Sequence, residues 1–351
     1  MSSSSNVPDK QSVYPLITVC MLVKNRKWCI ERVLSSLVDV EYPKNAMEIV
    51  LIDNMSTDGS YEALTDFVRK VGSQYYRIAL FREEGNIPHL RNLGLNNANG
   101  RYILYWDSDI LPPRNLIKIM VSLAEGDKKI GIIEPNYIAV EITELARYMK
   151  YIDKPISTIL SPKHVHATGM GFALVRTDVA RSVGGFNEAL SVGEDTAFSI
   201  SVFEKGYRNV RLNVHVLHLT CEVKRSEKWI VRPSNLLMWL RYNFSVRAEE
   251  YCSSFNSLPR FLKARIFYYL GLPWVIVLSI TSAVSKPILA IILPLYLALS
   301  IYLVIKERGL KDGIMTWLKF NVPTGLALSY GVLRVAIKKL ARAGALGRYR
   351  V

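Results

Sequence analysis

A chain of 351 residues, half of them hydrophobic and 21% charged, is too apolar to stay disordered and long enough to bury one sizeable core with apolar sequence left over. Its formal net charge of +15 would suit nucleic acid, an anionic membrane surface or phosphorylated substrates, and composition alone does not choose among them. The four cysteines, Cys20, Cys29, Cys221 and Cys252, have neither zinc spacing nor the pattern of paired bridges, so reduced thiols in a cytosolic domain are expected.

Residues 1–13 are polar and Ser-rich and lack the apolar stretch of a cleavable leader, which predicts a disordered tail. A β-branched apolar run over 17–23, bounded by Pro15 and Asn25, predicts a strand, and Ile30, Val33, Leu34 and Leu37 then recur at helical spacing. Residues 48–52 repeat the strand, Ser56-Thr57-Asp58-Gly59 supplies turn and N-cap chemistry, and 61–71 is spaced as a helix. A third strand over 77–81, a helix over 89–97 and a fourth strand over 102–106 follow. This order implies an α/β domain over 14–223 with a mostly parallel sheet, whose ligands collect at the carboxyl ends of the strands. Asn25, Asp53 and the triplet Asp107-Ser108-Asp109 all fall there.

Two carboxylates closing an apolar strand, with no neutralising neighbour in sequence, suit Mg2+ or Mn2+, which bind through one or two carboxylates plus substrate phosphates. The same triplet also serves as an ordinary loop or helix cap. Gly169-Met170-Gly171 precedes a strand over 172–175, where the missing side chain at Gly169 lets backbone approach a ligand or makes a tight turn. Glu194 and Asp195 follow a glycine and open a helical pattern, a position that fits either capping or chemistry. A strand-like run over 210–219 carries His218 near its end and His215 on the opposite face.

Beyond residue 223 the charge and apolarity separate. Residues 224–266 interleave Lys224, Arg225, Lys228 and Arg232 with Trp229, Trp239, Tyr242 and Phe244. An RNA-binding surface would use such residues, but directly before apolar stretches they predict a basic amphipathic collar at a membrane interface, with no nucleic-acid partner. Two uncharged stretches, 267–285 and 287–305, are each long enough as a helix to cross a bilayer and are separated by little more than Lys286, which predicts a transmembrane hairpin. Arg260, Lys263 and Arg265 before it and Lys306, Arg308 and Lys311 after it place both ends, and the large N-terminal domain, in the cytosol. Residues 306–351 read as an interfacial or re-entrant segment and a basic tail, since Lys319, Asn321, Pro323 and Gly325 interrupt the apolar run over 314–333; the alternative is a third crossing, which would export the basic tail.

Taken in order, several motifs give a joint signal: the strand ending at Asn25, Ile52-Asp53-Asn54-Met55-Ser56-Thr57-Asp58-Gly59-Ser60, the stretch from His89 to Gly94, Asp107-Ser108-Asp109, Gly184-Gly185-Phe186-Asn187-Glu188 and Gly193-Glu194-Asp195. On these the chain resembles a family 2 glycosyltransferase of GT-A fold, of the membrane-anchored kind that includes polyprenyl-phosphate sugar synthases and glycosyltransferases of lipid-linked glycans. The resemblance implies an inverting, metal-dependent enzyme using a UDP- or GDP-linked sugar. It further implies that Asp53 contacts the nucleobase, that Arg91 touches the nucleotide beside Asn25, that Asp107 lies near the ribose, and that Asp109, with His218, holds the metal. Asp195 would be the general base toward the acceptor hydroxyl and Glu194 would orient the acceptor or support the site. Asn54 stands where many relatives carry a second acid, and Ser199-Ile200-Ser201 where an Arg is frequent.

The expected acceptor is a lipid-linked glycan. In one variant polyprenyl phosphate is itself the acceptor, already anionic and in no need of a base. Retention of Asp53, Asp107, Asp109 and Asp195 argues against an inactive nucleotide-binding membrane protein, and the Gly-rich, Lys-containing loop of a nucleotidyltransferase is missing after the first strand. The Gln-x-x-Arg-Trp motif of processive synthases is also missing, so single-site transfer is expected.

Overall fold

A computed structural model of the chain describes residues 14–156, 162–165, 167–190 and 193–221. The expected tail over 1–13, basic collar, hairpin and interfacial segment lie outside the described residues. Among those described, no helix is long and apolar enough to cross a membrane.

The first half alternates as the hydrophobic pattern dictates: β1 (Ile17–Val23), α1 (Ile30–Asp39), β2 (Met47–Asp53), α2 (Ser60–Val71), β3 (Arg77–Arg82), α3 (Ile87–Asn96) and β4 (Tyr102–Trp106). After it come β5 (Ile110–Leu111), α4 (Leu116–Gly126), β6 (Ile130–Glu141), the short α5 (Leu145–Tyr148), β7 (Lys163–Val165), β8 (Phe172–Arg176), α6 (Thr177–Ser182), α7 (Glu194–Glu204) and β9 (Arg208–Thr220). The described strands form one sheet in the order β3-β2-β1-β4-β8-β6-β9-β5, with β7 paired to β9.

The expectation of a mostly parallel sheet holds for β3-β2-β1-β4, where each crossover is a helix, and again for β6 with β9. It fails elsewhere: β8 runs antiparallel to both β4 and β6, and β5 and β7 run antiparallel to β9, so the sheet is mixed. Two irregularities shift the register between β6 and β9. Ile130 pairs with Arg208 but Ile132 with Asn209, and Glu134 pairs with Arg211 but Asn136 with His215.

Alternation along the central strands divides the core. Val19, Met21, Ile49 and Leu51 face α1, α2 and α4, whereas Cys20, Val50 and Ile52 face α3, α6 and α7. The turn before α2 also departs from simple capping. Gly59 at the N-cap is left-handed, with φ 92°, and offers no side-chain acceptor. Asp58 takes over, accepting the Ser60 N–H at 3.0 Å and the Lys27 N–H at 2.9 Å.

At the amino ends of the strands a buried acid ties the sheet together. Glu48 on β2 accepts from the Thr18 hydroxyl at 2.6 Å and from the Asn99 N–H, the Asn99 amide and Arg77 Nε at 2.7 Å each. Burial pushes its pKa up, but these bonds outweigh burial and hold it below the ordinary glutamate value. A carboxyl whose folded pKa is depressed contributes stability above its unfolded pKa of about 4.3, and that contribution is lost as pH falls through the folded value. Glu48→Gln is therefore expected to destabilise the domain by about 1–3 kcal/mol at neutral pH. Urea unfolding of both proteins checks this, and the gap between them should narrow in acid. A gap that stays constant down to acid pH would contradict the ionised-carboxylate account.

Candidate active site

The carboxyl ends of the parallel strands hold the acids singled out above. Asp53 ends β2 fully buried: its Oδ2 accepts the Ser56 N–H at 3.0 Å and lies 3.4 Å from Arg82 Nε. Its Oδ1 is buried with no hydrogen-bond partner. Asn54 has no free acceptor role of that kind, because its amide pairs with the Gly85 backbone in both directions. Asn25 adopts a left-handed φ of 52°, a conformation that Asn tolerates better than most residues. Its N–H donates to Ser56 Oγ at 3.0 Å and its Oδ1 accepts the Thr57 N–H at 2.9 Å, so it welds the β1–α1 loop to the β2–α2 loop.

Asp107 and Asp109 span the turn between β4 and β5. The Asp107 N–H donates to the Gly171 carbonyl at 2.7 Å, and the Asp109 carbonyl accepts the Leu219 N–H at 2.7 Å, so β8 and β9 fix the triplet from two sides. The two oxygens of the Asp109 carboxylate face an imidazole and a guanidinium: Oδ1 lies 3.6 Å from His218 Nε2 and Oδ2 lies 3.4 Å from Arg26 Nε. Pairing of Ile110 with His218 across β5 and β9 is what brings His218 there. Asp109 raises the His218 pKa, with burial opposing. Desolvation raises the Asp107 pKa, Arg91 opposes it and the Asp109 charge adds to it. His215 pairs with Asn136 three positions before His218 and so points to the other face, where its ring meets Tyr151. His164 is exposed on β7, and His166 lies outside the described residues.

Among the described residues no three His, Cys, Asp or Glu side chains converge as a complete metal cage. Asp109 with His218, beside Asp107, is nevertheless the donor set that Mg2+ or Mn2+ accepts when substrate phosphates complete the shell. The residues present thus fit a cation bound together with its substrate.

Arg91 of α3 bridges these acids to α7. Its buried guanidinium donates to Glu194 Oε1 at 2.9 Å, lies 3.7 Å from Asp107 Oδ1 and stacks over the Phe186 ring at 5.4 Å. Phe186 is stacked in turn on Phe198 of α7, centroids 4.2 Å apart. Desolvation raises the Glu194 pKa, Arg91 opposes it and Asp195 adds to it. Asp195, in the first turn of α7 and half-buried, accepts the Thr196 N–H at 2.6 Å. Ser199 is fully buried and accepts the Thr168 N–H at 3.1 Å, which locks α7 to the glycine-rich loop.

Two residues of that neighbourhood escaped the sequence reading. Glu134 on β6 is buried; its Oε2 accepts the Gly169 N–H at 2.9 Å and its Oε1 accepts from Arg211 Nε at 2.8 Å. Desolvation raises its pKa against Arg211. The more crowded position is Gly171 rather than Gly169: a Cβ at 171 would stand 3.3 Å from both Asp107 Oδ2 and the Tyr137 ring, whereas one at 169 would meet only Glu134 at 3.7 Å. No local signal marks Glu134 or Arg211, since both sit in strands that read as core.

Arg26, Asn54, Arg91, Asp107, Asp109 and His218 line one open cleft of about 440 Å³. A cleft of carboxylates and guanidinium groups at strand carboxyl ends can hold a phosphorylated ligand with a divalent cation.

Comparison with known proteins agrees. Residues 18–184 match the model of glycosyl transferase family 2, and residues 102–304, more than half of the chain, match that of glycosyl transferase family group 2. Glycosyltransferase AglE of Haloferax volcanii is 27% identical over 199 residues, 56% of this chain and 64% of its own length. Probable glycosyltransferase YdaM of Bacillus subtilis is 22% identical over 289 residues, 77% of this chain and 66% of its own. The chain thus spans just under two thirds of the length of each. In fold, the chain is similar to the mannosyltransferase PcManGT from Pyrobaculum calidifontis, solved with GDP-Man and Mn2+, at a TM-score of 0.53 and 18% identity over 92% of this chain and 87% of that one. The motifs, the mixed α/β sheet and these matches together establish that the chain belongs to glycosyl transferase family group 2, with a GT-A-like α/β domain.

Proposed function

We propose that the enzyme transfers a sugar, with inversion, from a UDP- or GDP-linked donor to a lipid-linked glycan at a membrane surface. The observation that carries the donor half is the cleft in which Asp107, Asp109, Arg91 and His218 meet, with the unpartnered Oδ1 of Asp53 buried at the neighbouring strand end. A buried carboxylate oxygen without a donor is costly, and the ring N–H of a uracil or guanine would satisfy it. Asp109 and His218 would hold Mg2+ or Mn2+, which when bound neutralises the diphosphate as it leaves. Arg91 fixes the distance between these acids and α7, and thereby positions Asp195.

In this reading the acceptor hydroxyl attacks the anomeric carbon opposite the leaving diphosphate. Its proton passes to the Asp195 carboxylate as the bond from carbon to diphosphate oxygen breaks. The lipid-linked acceptor and membrane anchorage rest on the paired apolar stretches and basic collar of residues 224–305. Incubating membranes that carry the full chain with labelled UDP- and GDP-sugars tests the proposal. Label from one donor is expected in the lipid extract, released by mild acid as a glycan. Label confined to protein or soluble sugar would exclude a lipid-linked acceptor. Label on a bare polyprenyl phosphate would replace it with the lipid-phosphate variant.

A further inference from the structure

We infer that Arg26 is a displaceable counter-ion of Asp109: it holds the carboxylate until a divalent cation arrives and then turns to the donor's diphosphate, so that metal and nucleotide bind as a pair. The inference rests on the reading of Asp109 as a metal ligand.

The backbone at Arg26 is fixed. Its N–H donates to Ser60 Oγ at 2.8 Å, and its carbonyl accepts from the N–H groups of Cys29 and Ile30 at 2.9 and 2.8 Å. The side chain leaves this rigid base 37% exposed and enters the cleft. There Nε is buried 3.4 Å from Asp109 Oδ2 and yet makes no hydrogen bond, while Nη1 holds only the Lys24 carbonyl, at 3.2 Å. The pair is therefore a loose electrostatic contact on a long side chain and is easily exchanged.

What happens on metal binding follows from the donor inventory. His218 has a ring nitrogen with a lone pair and can become a ligand, but a guanidinium has only N–H groups and cannot. A divalent cation that engages Oδ2 must expel Arg26, and repulsion from an adjacent guanidinium disfavours the cation until that charge finds another anion. A diphosphate in the same cleft is that anion, with oxygens spaced for a bidentate guanidinium contact. Of the two arginines lining the cleft, Arg91 is committed to Glu194 and Asp107 at 7% exposure, which leaves Arg26 to move.

The test measures Mn2+ binding to the full chain by loss of the free-ion paramagnetic resonance signal, with and without UDP or GDP. Wild type is compared with Arg26→Gln and Arg26→Lys; the backbone contacts that fix residue 26 survive both substitutions. Loss of the charge is expected to raise the affinity for Mn2+ alone by roughly three- to tenfold. It should lower the affinity of the bound nucleotide, measured in saturating Mn2+, by a similar factor. Arg26→Lys, which keeps the charge, should lie between. If wild type binds Mn2+ with nucleotide and Arg26→Gln matches it in both affinities, or binds Mn2+ alone more weakly, Arg26 is no counter-ion. Should wild type bind Mn2+ neither alone nor with either nucleotide, the metal reading of Asp109 itself falls, and this inference with it.

Discussion

Asp195→Asn is expected to slow transfer to a hydroxyl acceptor by roughly 10²- to 10⁴-fold, the usual worth of a positioned base. A sugar hydroxyl is a weak nucleophile at neutral pH, and the amide cannot take its proton. The substitution should spare the fold, because Asn can accept the Thr196 N–H as Asp195 does and because Glu194, not Asp195, makes the ion pair to Arg91. Donor affinity, which in the proposed reading rests on Asp53, Arg91 and the metal-side acids, should change little. Steady-state turnover with the lipid acceptor, beside nucleotide binding measured separately, makes the comparison. A variant that binds donor normally and still glycosylates polyprenyl phosphate at nearly the wild-type rate would show that the acceptor is the anionic lipid phosphate, for which no base is needed.

Asp109→Asn should cost about 10²- to 10³-fold in turnover, the scale seen when one electrostatic contact to developing charge is removed. The remaining activity should no longer respond to added Mn2+. The carboxylate is the shared partner of His218 and Arg26, so the substitution leaves the imidazole and the guanidinium on either side of a neutral amide. Thermal unfolding should nevertheless move little, because the strand turn is held by the Leu219 N–H on the Asp109 carbonyl, which the substitution keeps. Turnover against metal concentration reads the effect, and an unchanged metal dependence would remove Asp109 from the ligand set.

Much of this was legible in the sequence because it is local. Period-2 and helical spacing placed β1 to β4 and their helices within a residue or two, and a strand followed by acids put Asp53, Asp107 and Asp109 at one edge. Partnership across the chain was not legible. The ion pair from Arg91 to Glu194 joins residues 103 apart, and the one from Arg211 to Glu134 joins residues 77 apart. A buried Glu on an apolar strand carries no mark of its partner until the strand order is known. The mixed sheet escaped for a similar reason, since alternation sets which face a side chain takes but not the direction of the neighbouring strand. Arg26 was overlooked beside Asn25, although both stand at the same strand end.

The second register shift between β6 and β9 bears on which deletions β9 can absorb. From Glu134 to Asn136 the chain advances two residues while β9 advances four, from Arg211 to His215, so the surplus is an even number. An even surplus leaves every later side chain on the face it would have had without it, His218 included, and the pairing of Ile110 with His218 is untouched. Losing two residues from 212–214 is therefore expected to straighten the strand and keep the imidazole beside Asp109, whereas losing one keeps it there only where the strand absorbs the odd count as a bulge, as this pair of strands does between Ile130 and Ile132.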